Sequence, residues 1–171
     1  VQAQGTVLDG TITGSNVTIE NGATFRLLSS EIVEIDVAFA IESGGTLDMN
    51  GQTEVIGNFS GAGNIINHTN NGTTGLSLDD LNGVHTFSGD LSGGGSLLIR
   101  GNLDDTGTLV LDGGTVSLGH FRIGRGGVDI TGGATVTASS STIVGTNRTN
   151  NHARIPAGDI TRSELSIDRG S

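Results

Sequence analysis

The sequence predicts an all-β protein: a right-handed parallel β-helix (β-solenoid) of about seven coils of roughly 20 residues. Two observations lead to this prediction. Short apolar bursts recur along the chain, and Gly or Asn separates one burst from the next. The bursts alternate apolar and polar residues, as in Val128-Asp129-Ile130 and Thr135-Val136-Thr137, which is the period of a half-buried strand. Strands this short, repeated this regularly, are typical of stacked coils and not of a sandwich.

The turns between the bursts contain residues that tolerate positive φ. Gly-Gly pairs occur at Gly113-Gly114, Gly126-Gly127 and Gly132-Gly133. Between Thr115 and Val144 the bursts follow one another every 6 to 7 residues, so three of them form one coil. A coil can bury its Val, Ile and Leu only against the coils above and below it, and this requirement explains why the pattern repeats.

The composition supports a folded chain with a narrow interior. The 171 residues include 30 Gly, one Pro and five Phe, with no Trp, Tyr, Cys or Lys. Hydrophobic residues make up 33%, which argues against disorder because an apolar core is available. Residues 29–43 lack Gly, and their Ile, Val and Phe content favours a strand over a helix.

The charge of the chain excludes one class of partner. The formal net charge is −10, whereas a nucleic-acid-binding surface needs clustered Lys and Arg. Residues 1–115 hold a charge of −12 and residues 116–171 a charge of +2. No run of 18 apolar residues is present, so no membrane-spanning helix is predicted.

Two stretches resemble a known family of repeats. Residues 44–67 read GGTLDMNGQTEVIGNFSGAGNIIN, and residues 85–114 read HTFSGDLSGGGSLLIRGNLDDTGTLVLDGG. Both are similar to the autotransporter-associated β-strand repeat, and the resemblance covers roughly residues 44–138. It implies a right-handed parallel β-helix that is secreted or exposed on a bacterial surface, with an adhesive or scaffolding role. The family has no catalytic signature, and this sequence departs from its pattern after about Gly145.

The acidic residues do not form a recognisable catalytic pair. Asp79-Asp80 and Asp104-Asp105 are the adjacent doublets, but neighbouring strand residues point to opposite faces. A glycosidase needs two carboxyl groups about 5–9.5 Å apart across a cleft. The segment GHFRIGR at residues 119–125 is faintly similar to polygalacturonase segments, although neither of their motifs is intact. We therefore predict no catalytic residues and no enzymatic activity.

No metal or cofactor is predicted either. The four His residues are scattered, without the spacing of metal ligands. They are His68, His85, His120 and His152. Residues 102–106 are rich in Asn and Asp, but they match neither the EF-hand nor the nonapeptide calcium motif.

Five sequons mark candidate glycosylation sites, a number only slightly above chance for a chain so rich in Asn, Ser and Thr. Their asparagines are Asn16, Asn58, Asn67, Asn71 and Asn147.

The C-terminal segment differs from the rest of the chain. The repeat predicts a solenoid over residues 1–145 and a separate arm, cap or tail over residues 146–171, where four of the eight Arg lie. This segment is either a frayed tail or a strand that covers an open edge, on its own last coil or on a neighbouring molecule. The candidate subunit-contact residues are Arg154, Ile160, Arg162, Leu165, Ile167 and Arg169.

These features predict a non-enzymatic extracellular or cell-surface module with a structural or adhesive role. Its expected partners are other copies of itself, stacked head to tail into a filament, and a host surface or glycan. The alternative is a β-helix that binds or cleaves carbohydrate, of the tailspike or polysaccharide-lyase type. Such sites usually need aromatic platforms, and this chain offers only Phe.

Overall fold

The chain folds as an all-β protein. Among the residues that it describes, the computed structural model contains nineteen strands and no helix. No helix able to cross a membrane is therefore found in that part of the chain. The structure describes residues 7–8, 12–14, 16–67, 75–81, 83–101, 107–123, 127–144, 152–154, 159–162 and 165–167.

The strands form three faces, each containing one strand or half-strand from each successive coil. The first face contains β2 (Asn16–Ile19), β4 (Ala38–Ile41), β7 (Asn58–Gly61), β10 (Val84–Phe87), β13 (Thr108–Asp112), β15 (Gly127–Thr131) and β17 (His152–Arg154). The second face contains β1 (Val7–Leu8), β3 (Thr24–Leu27), β5 (Thr46–Asp48), β8 (Asn64–Asn67), β11 (Asp90–Gly93), the first halves of β14 (Thr115–Ile123) and β16 (Thr135–Val144), and β18 (Asp159–Arg162). The third face contains β6 (Glu54–Ile56), β9 (Gly75–Leu81), β12 (Ser96–Gly101), the second halves of β14 and β16, and β19 (Leu165–Ile167).

Every strand pair in these faces is parallel, so the predicted β-solenoid is confirmed. The coils differ in length, since Thr46 pairs with Asn64 whereas Asn64 pairs with the more distant Asp90. Most coils are longer than predicted, which reduces their number. About five coils lie between Asn16 and Ile123, and β15 to β19 extend the ladders beyond them. The right-handed sense stays a prediction, which the strong preference for right-handed parallel crossovers supports.

Alternation along each strand places one set of side chains in a continuous core. In β4, Phe39 and Ile41 are buried whereas Ala38 and Ala40 are half-buried. Phe59 pairs with Phe39 in the next coil, and the two rings are fully buried. Stacking like residues on like residues fills the narrow interior without Trp or Tyr.

One core position shows how the stack accommodates a large ring. Phe87 lies above Gly61 in the first face, where no side chain competes for space. Its ring leans toward Phe59, and the two ring centroids are 5.1 Å apart. Tilted aromatic pairs at this distance add to the stabilisation that burial gives.

Glycines line the corner between the first and second faces. Gly45, Gly63, Gly89 and Gly114 lie one above another at this corner, as the close approaches between successive members show. A Cβ atom on Gly89 would be 1.8 Å from the carbonyl oxygen of Gly63, and one on Gly114 would be 1.9 Å from that of Gly89. The coils thus approach so closely that no side chain fits between them, and Asn64 N–H donates to the Gly45 carbonyl at 2.8 Å.

Candidate functional site

The outward side of the second face is an array of short polar side chains. In β3 the side chains of Phe25 and Leu27 are buried, so Thr24 and Arg26 face outward. The strand register aligns the outward residues in two columns. One column is Thr24, Thr46, Asn64, Asp90, Thr115 and Thr135, and the other is Arg26, Asp48, Ile66, Ser92, Ser117 and Thr137.

A shallow groove of about 330 Å³ lies in the middle of this array. The Asp90 carboxylate is held in place because its Oδ1 accepts the Thr115 N–H at 2.8 Å. Ile66 supplies an apolar patch beside the hydroxyl groups of Ser92 and Ser117. The lining residues include no cation, so the chemistry of the groove suits a polyhydroxylated ligand better than an anion. The lining residues are Asn64, Ile66, Asp90, Leu91, Ser92, Thr115 and Ser117.

A polar network holds the first coils of this face together. The Arg26 Nε lies 3.5 Å from Asp48 Oδ2, and its Nη2 donates to the Asn50 side chain. Asn50 in turn donates through Nδ2 to the Leu27 carbonyl at 2.9 Å. Its own backbone N–H donates to Asp48 Oδ1 at 2.9 Å, and its φ of 49° lies in the left-handed region that Asn tolerates. The exposed Arg26 and the half-buried Asp48 therefore form an ion pair across neighbouring coils.

A buried carboxylate lies in the second coil, where it bonds to the backbone of the first. Glu54 is fully buried, and its Oε2 accepts the Ile32 N–H at 3.0 Å while its Oε1 accepts the N–H groups of Val33 and Val55, each at 3.3 Å. Glu31 N–H donates to the carbonyl of residue 53 at 3.0 Å, and Gly57 N–H donates to that of residue 35 at 3.1 Å. In a parallel ladder these two bonds place residue 31 opposite residue 54 and residue 36 opposite residue 57, so the six residues 31–36 lie opposite the four residues 54–57. Glu54 accepts the N–H groups that this bulge leaves over.

Burial raises the pKa of Glu54 to about 6. The backbone N–H groups of Ile32 and Val33 oppose this rise, and the nearby charge of Glu31 adds to it. Burial also raises the pKa of Glu31 itself. The carboxylate is enclosed and already bonded to the backbone, which suits a structural role and not catalysis.

The third face has its own polar residues. Ser77 and Ser96 face outward yet are only 8% and 9% exposed, and the Ser77 hydroxyl has no hydrogen-bond partner. His120 pairs with Ser96, and Arg122 lies two residues further along the same strand. Burial lowers the pKa of His120, and the positive charge of Arg122 lowers it further.

Of the two acidic doublets considered in the sequence, the structure describes only the side chain of Asp79. Asp79 lies on β9 and is half-buried, and the side chain of Asp80 is outside the described set. Residues 104 and 105 also fall outside the described residues. No cluster of three or more His, Asp or Glu able to hold a metal occurs in the described ranges. His85 on the first face and His120 on the third lie on different sheets, and His68 is not described.

The sequons occupy different environments. Asn16 and Asn58 are exposed on the first face. Asn67 is 1% exposed and is enclosed by glycines, since a Cβ atom on Gly95 would be 1.9 Å from its Nδ2. This burial argues against a glycan on Asn67. Residues 71 and 147 lie outside the described residues.

The C-terminal segment continues the coil ladders. Arg154 lies on β17 in register with Asp129, and Ile160 and Arg162 lie on β18, which pairs with β16. The strand containing Leu165 and Ile167, β19, also pairs with β16. These strands therefore lie on the last coil of the same molecule, and residue 169 falls outside the described residues.

The burial of two polar residues was not predicted from the sequence. Glu54 occupies an inward position two residues before Ile56, where the alternation favours an apolar side chain. Asn67 likewise lies inward, two residues after Ile65. A charged or amide residue at an inward position is the signal that could have identified both.

The chain was compared with known proteins. No family model, no curated protein and no solved structure matches it.

Proposed function

We propose that this solenoid is a non-enzymatic structural or adhesive module of an extracellular or cell-surface protein. The observation that supports this most directly is the outward side of the second face, where short polar side chains repeat from coil to coil. Such a surface offers many weak, equivalent contacts along the coil axis. A rigid scaffold that displays a repeated surface suits adhesion better than it suits a single reaction centre.

The two stretches at residues 44–67 and 85–114 support a surface location. Their resemblance to the autotransporter-associated β-strand repeat implies a secreted or surface-exposed protein with an adhesive or scaffolding role. An antibody raised against the purified chain should label intact cells of the source organism. Labelling that appears only after the cells are permeabilised would contradict the proposal.

Head-to-tail stacking is part of this proposal. Within the described strands, β2 ends the first-face sheet at the N-terminal side, and the half-buried Val17 lies at the end of the core. A second copy whose last coil stacked there would continue the same parallel ladder, and a contact of this heterologous kind does not close on itself.

Electron microscopy of two neighbouring variants tests the stacking. Val17→Lys places a charge at the N-terminal end of the described core, whereas Thr18→Lys places the same charge on the outward side. We expect filaments from the wild type and from Thr18→Lys, and none from Val17→Lys. Filaments that persist in Val17→Lys would rule out this end as the joint.

Carbohydrate binding is the second candidate function, and the groove around Asp90 favours it. Its hydroxyl, amide and carboxylate groups beside an apolar patch match the needs of a neutral sugar. A glycan array should give binding that Ser92→Arg abolishes and that Ser60→Arg, an exposed serine on the first face, leaves intact. Release of reducing ends from a bound polysaccharide, lost in Asp79→Asn, would instead support a cleaving enzyme.

A further inference from the structure

Four successive coils of the second face present outward side chains of which one, Asp90, is charged. The other outward side chains are hydroxyl, amide or aliphatic groups, and the strand register arranges all of them in two columns. The columns are Asn64, Asp90, Thr115 and Thr135, and Ile66, Ser92, Ser117 and Thr137. We call these eight residues the polar strip. Four strands at about 4.8 Å per spacing cover roughly 14 Å along the coil axis, whereas the two columns are only about 7 Å apart.

The two ends of the polar strip differ. In the coil before Asn64, the second column contains Asp48, which is ion-paired to Arg26 at 3.5 Å. The strip therefore begins where this pair of charges ends. At the other end the exposed Thr135 follows Thr115 in register. The groove of about 330 Å³ covers the first three coils of the strip, so Thr135 continues the same surface by one coil beyond the groove.

Each coil of the strip offers similar groups to a hydroxylated ligand. The Ser and Thr hydroxyl groups both donate and accept hydrogen bonds. Asp90 accepts the Thr115 N–H through Oδ1 at 2.8 Å, and the remaining lone pairs of its carboxylate can accept hydrogen bonds from ligand hydroxyl groups. Ile66 supplies an apolar contact for the C–H face of a sugar ring. The strip is thus a row of sites that repeats with the spacing of the coils.

The spacing of this row matches one class of glycan. An extended β-1,4-linked chain advances by about 5 Å per sugar, close to the 4.8 Å between paired strands. Over the four coils of the strip the mismatch stays near 1 Å, so successive sugars meet successive coils. An α-1,4-linked glucan curves into a coil, and its sugars leave a straight row of sites after the first units.

We propose that the polar strip binds a linear, neutral, extended glycan lengthwise, with one sugar unit on each coil from Asn64 to Thr135. The inference rests on the proposed carbohydrate binding and adds the orientation, the linkage and the length of the ligand to it. The eight strip residues include no cation, and the chain has a net charge of −10, so acidic polysaccharides are repelled.

The length of the ligand provides the first test. Calorimetric titration with cello-, chito- and manno-oligosaccharides of one to six units covers three extended series that differ in their sugar. In at least one series the affinity should rise by about tenfold or more from two units to four, because each added unit reaches a further coil. From four units to six it should change by less than about twofold, because the strip has ended. Maltotetraose should bind at least about tenfold more weakly than the extended tetrasaccharide.

Two matched variants test the orientation. Thr135 and Thr24 are exposed residues of the same column, but Thr24 lies beyond the Arg26–Asp48 pair. Thr135→Arg should lower the affinity for the tetrasaccharide about fivefold or more and leave that for the disaccharide within about twofold. Thr24→Arg should leave both affinities within about twofold. Circular dichroism checks that each variant is folded, and Thr135→Gln replaces Thr135→Arg if the latter unfolds.

The outcomes separate this inference from the carbohydrate binding on which it rests. If Ser92→Arg abolishes binding but Thr135→Arg leaves the tetrasaccharide affinity unchanged, the groove binds sugar and the lengthwise orientation is wrong. Equal affinities for two and four units, or for maltotetraose and the extended tetrasaccharides, also overturn the inference alone. If none of these glycans binds, or if binding survives Ser92→Arg, both the carbohydrate-binding function and the inference are wrong.

Discussion

The Glu54 carboxylate accepts the backbone N–H of Ile32 at 3.0 Å, although the two residues are 22 positions apart in the sequence. The same carboxylate accepts the N–H groups of Val33 and Val55. A side chain here replaces the carbonyl that a regular parallel ladder would provide. The fold thereby accommodates an irregular first coil without leaving buried donors unsatisfied.

Glu54 makes the stability of the fold depend on pH. Burial raises its pKa from 4.5 to about 6, so the unfolded chain loses its proton first as the pH rises. The free energy of unfolding should therefore fall by about 2 kcal/mol between about pH 4.5 and 6. Above pH 6 the contribution of Glu54 stays absent, because its carboxyl group is then ionised in both states. Urea unfolding measured across this range should show the fall in the wild type.

The neutral variant Glu54→Gln isolates this contribution. Its unfolding free energy should lack the fall between pH 4.5 and 6, whereas Glu34→Gln, which removes an exposed carboxylate, should keep it. Only the pH dependence of the two unfolding free energies is compared. Their absolute values also differ, because the Gln side chain places an N–H group against a backbone N–H group that Glu54 accepts. Identical pH profiles for the wild type and Glu54→Gln would disprove the role assigned to Glu54.

The stacked glycines should tolerate no side chain. In Gly89→Ala the new Cβ would lie 1.8 Å from the Gly63 carbonyl oxygen, and the coils must separate to make room for it. We expect a loss of about 3 kcal/mol or more in the free energy of unfolding. Gly22→Asn is the control, because Gly22 has a φ of 77° and open space around it, and it should change stability by less than about 1 kcal/mol. Equal effects of the two substitutions would show that the coils are loosely packed.

Phe87 should contribute more to stability than its exposed neighbour. It is 1% exposed and contacts Phe59 across the space above Gly61. Phe87→Ala should cost about 3–5 kcal/mol because it leaves a cavity in a narrow core. Thr86→Ala, one residue earlier and on the outward side, should cost less than about 0.5 kcal/mol. Thermal or urea unfolding of both variants measures the difference.

Burial also predicts which sequons can carry a glycan in folded protein. When the chain is secreted from a host that glycosylates, mass spectrometry should find glycans at the exposed Asn16 and Asn58 and none at Asn67. Asn67→Gln should leave the glycan pattern unchanged. Cooperative unfolding shows that the secreted protein is folded. A glycan on Asn67 in such protein would contradict the burial of this side chain.

The repeat pattern determined the fold class, because each burst is local and its alternation depends only on the pleat of a strand. In Thr24–Leu27, for example, alternation correctly predicts that Phe25 and Leu27 face inward. In residues 29–43 the expected strand forms at Ala38–Ile41, and the local pattern did not predict the bulge that precedes it. The bulge is held by the Glu54 carboxylate of the next coil. The local sequence of residues 29–43 holds no information about that contact.

Contacts between coils were decided by the tertiary structure alone. The separation of paired residues changes from coil to coil, as Thr46 with Asn64 and Asn64 with Asp90 show, so the sequence cannot specify which residue lies above which. That register buries Asn67 and encloses Glu54. It also places Arg154 opposite Asp129 and aligns Arg122 with Ser77 on one face. Sequence alternation determines which side of a strand a residue occupies, whereas its neighbours in the stack depend on the length of every turn between them.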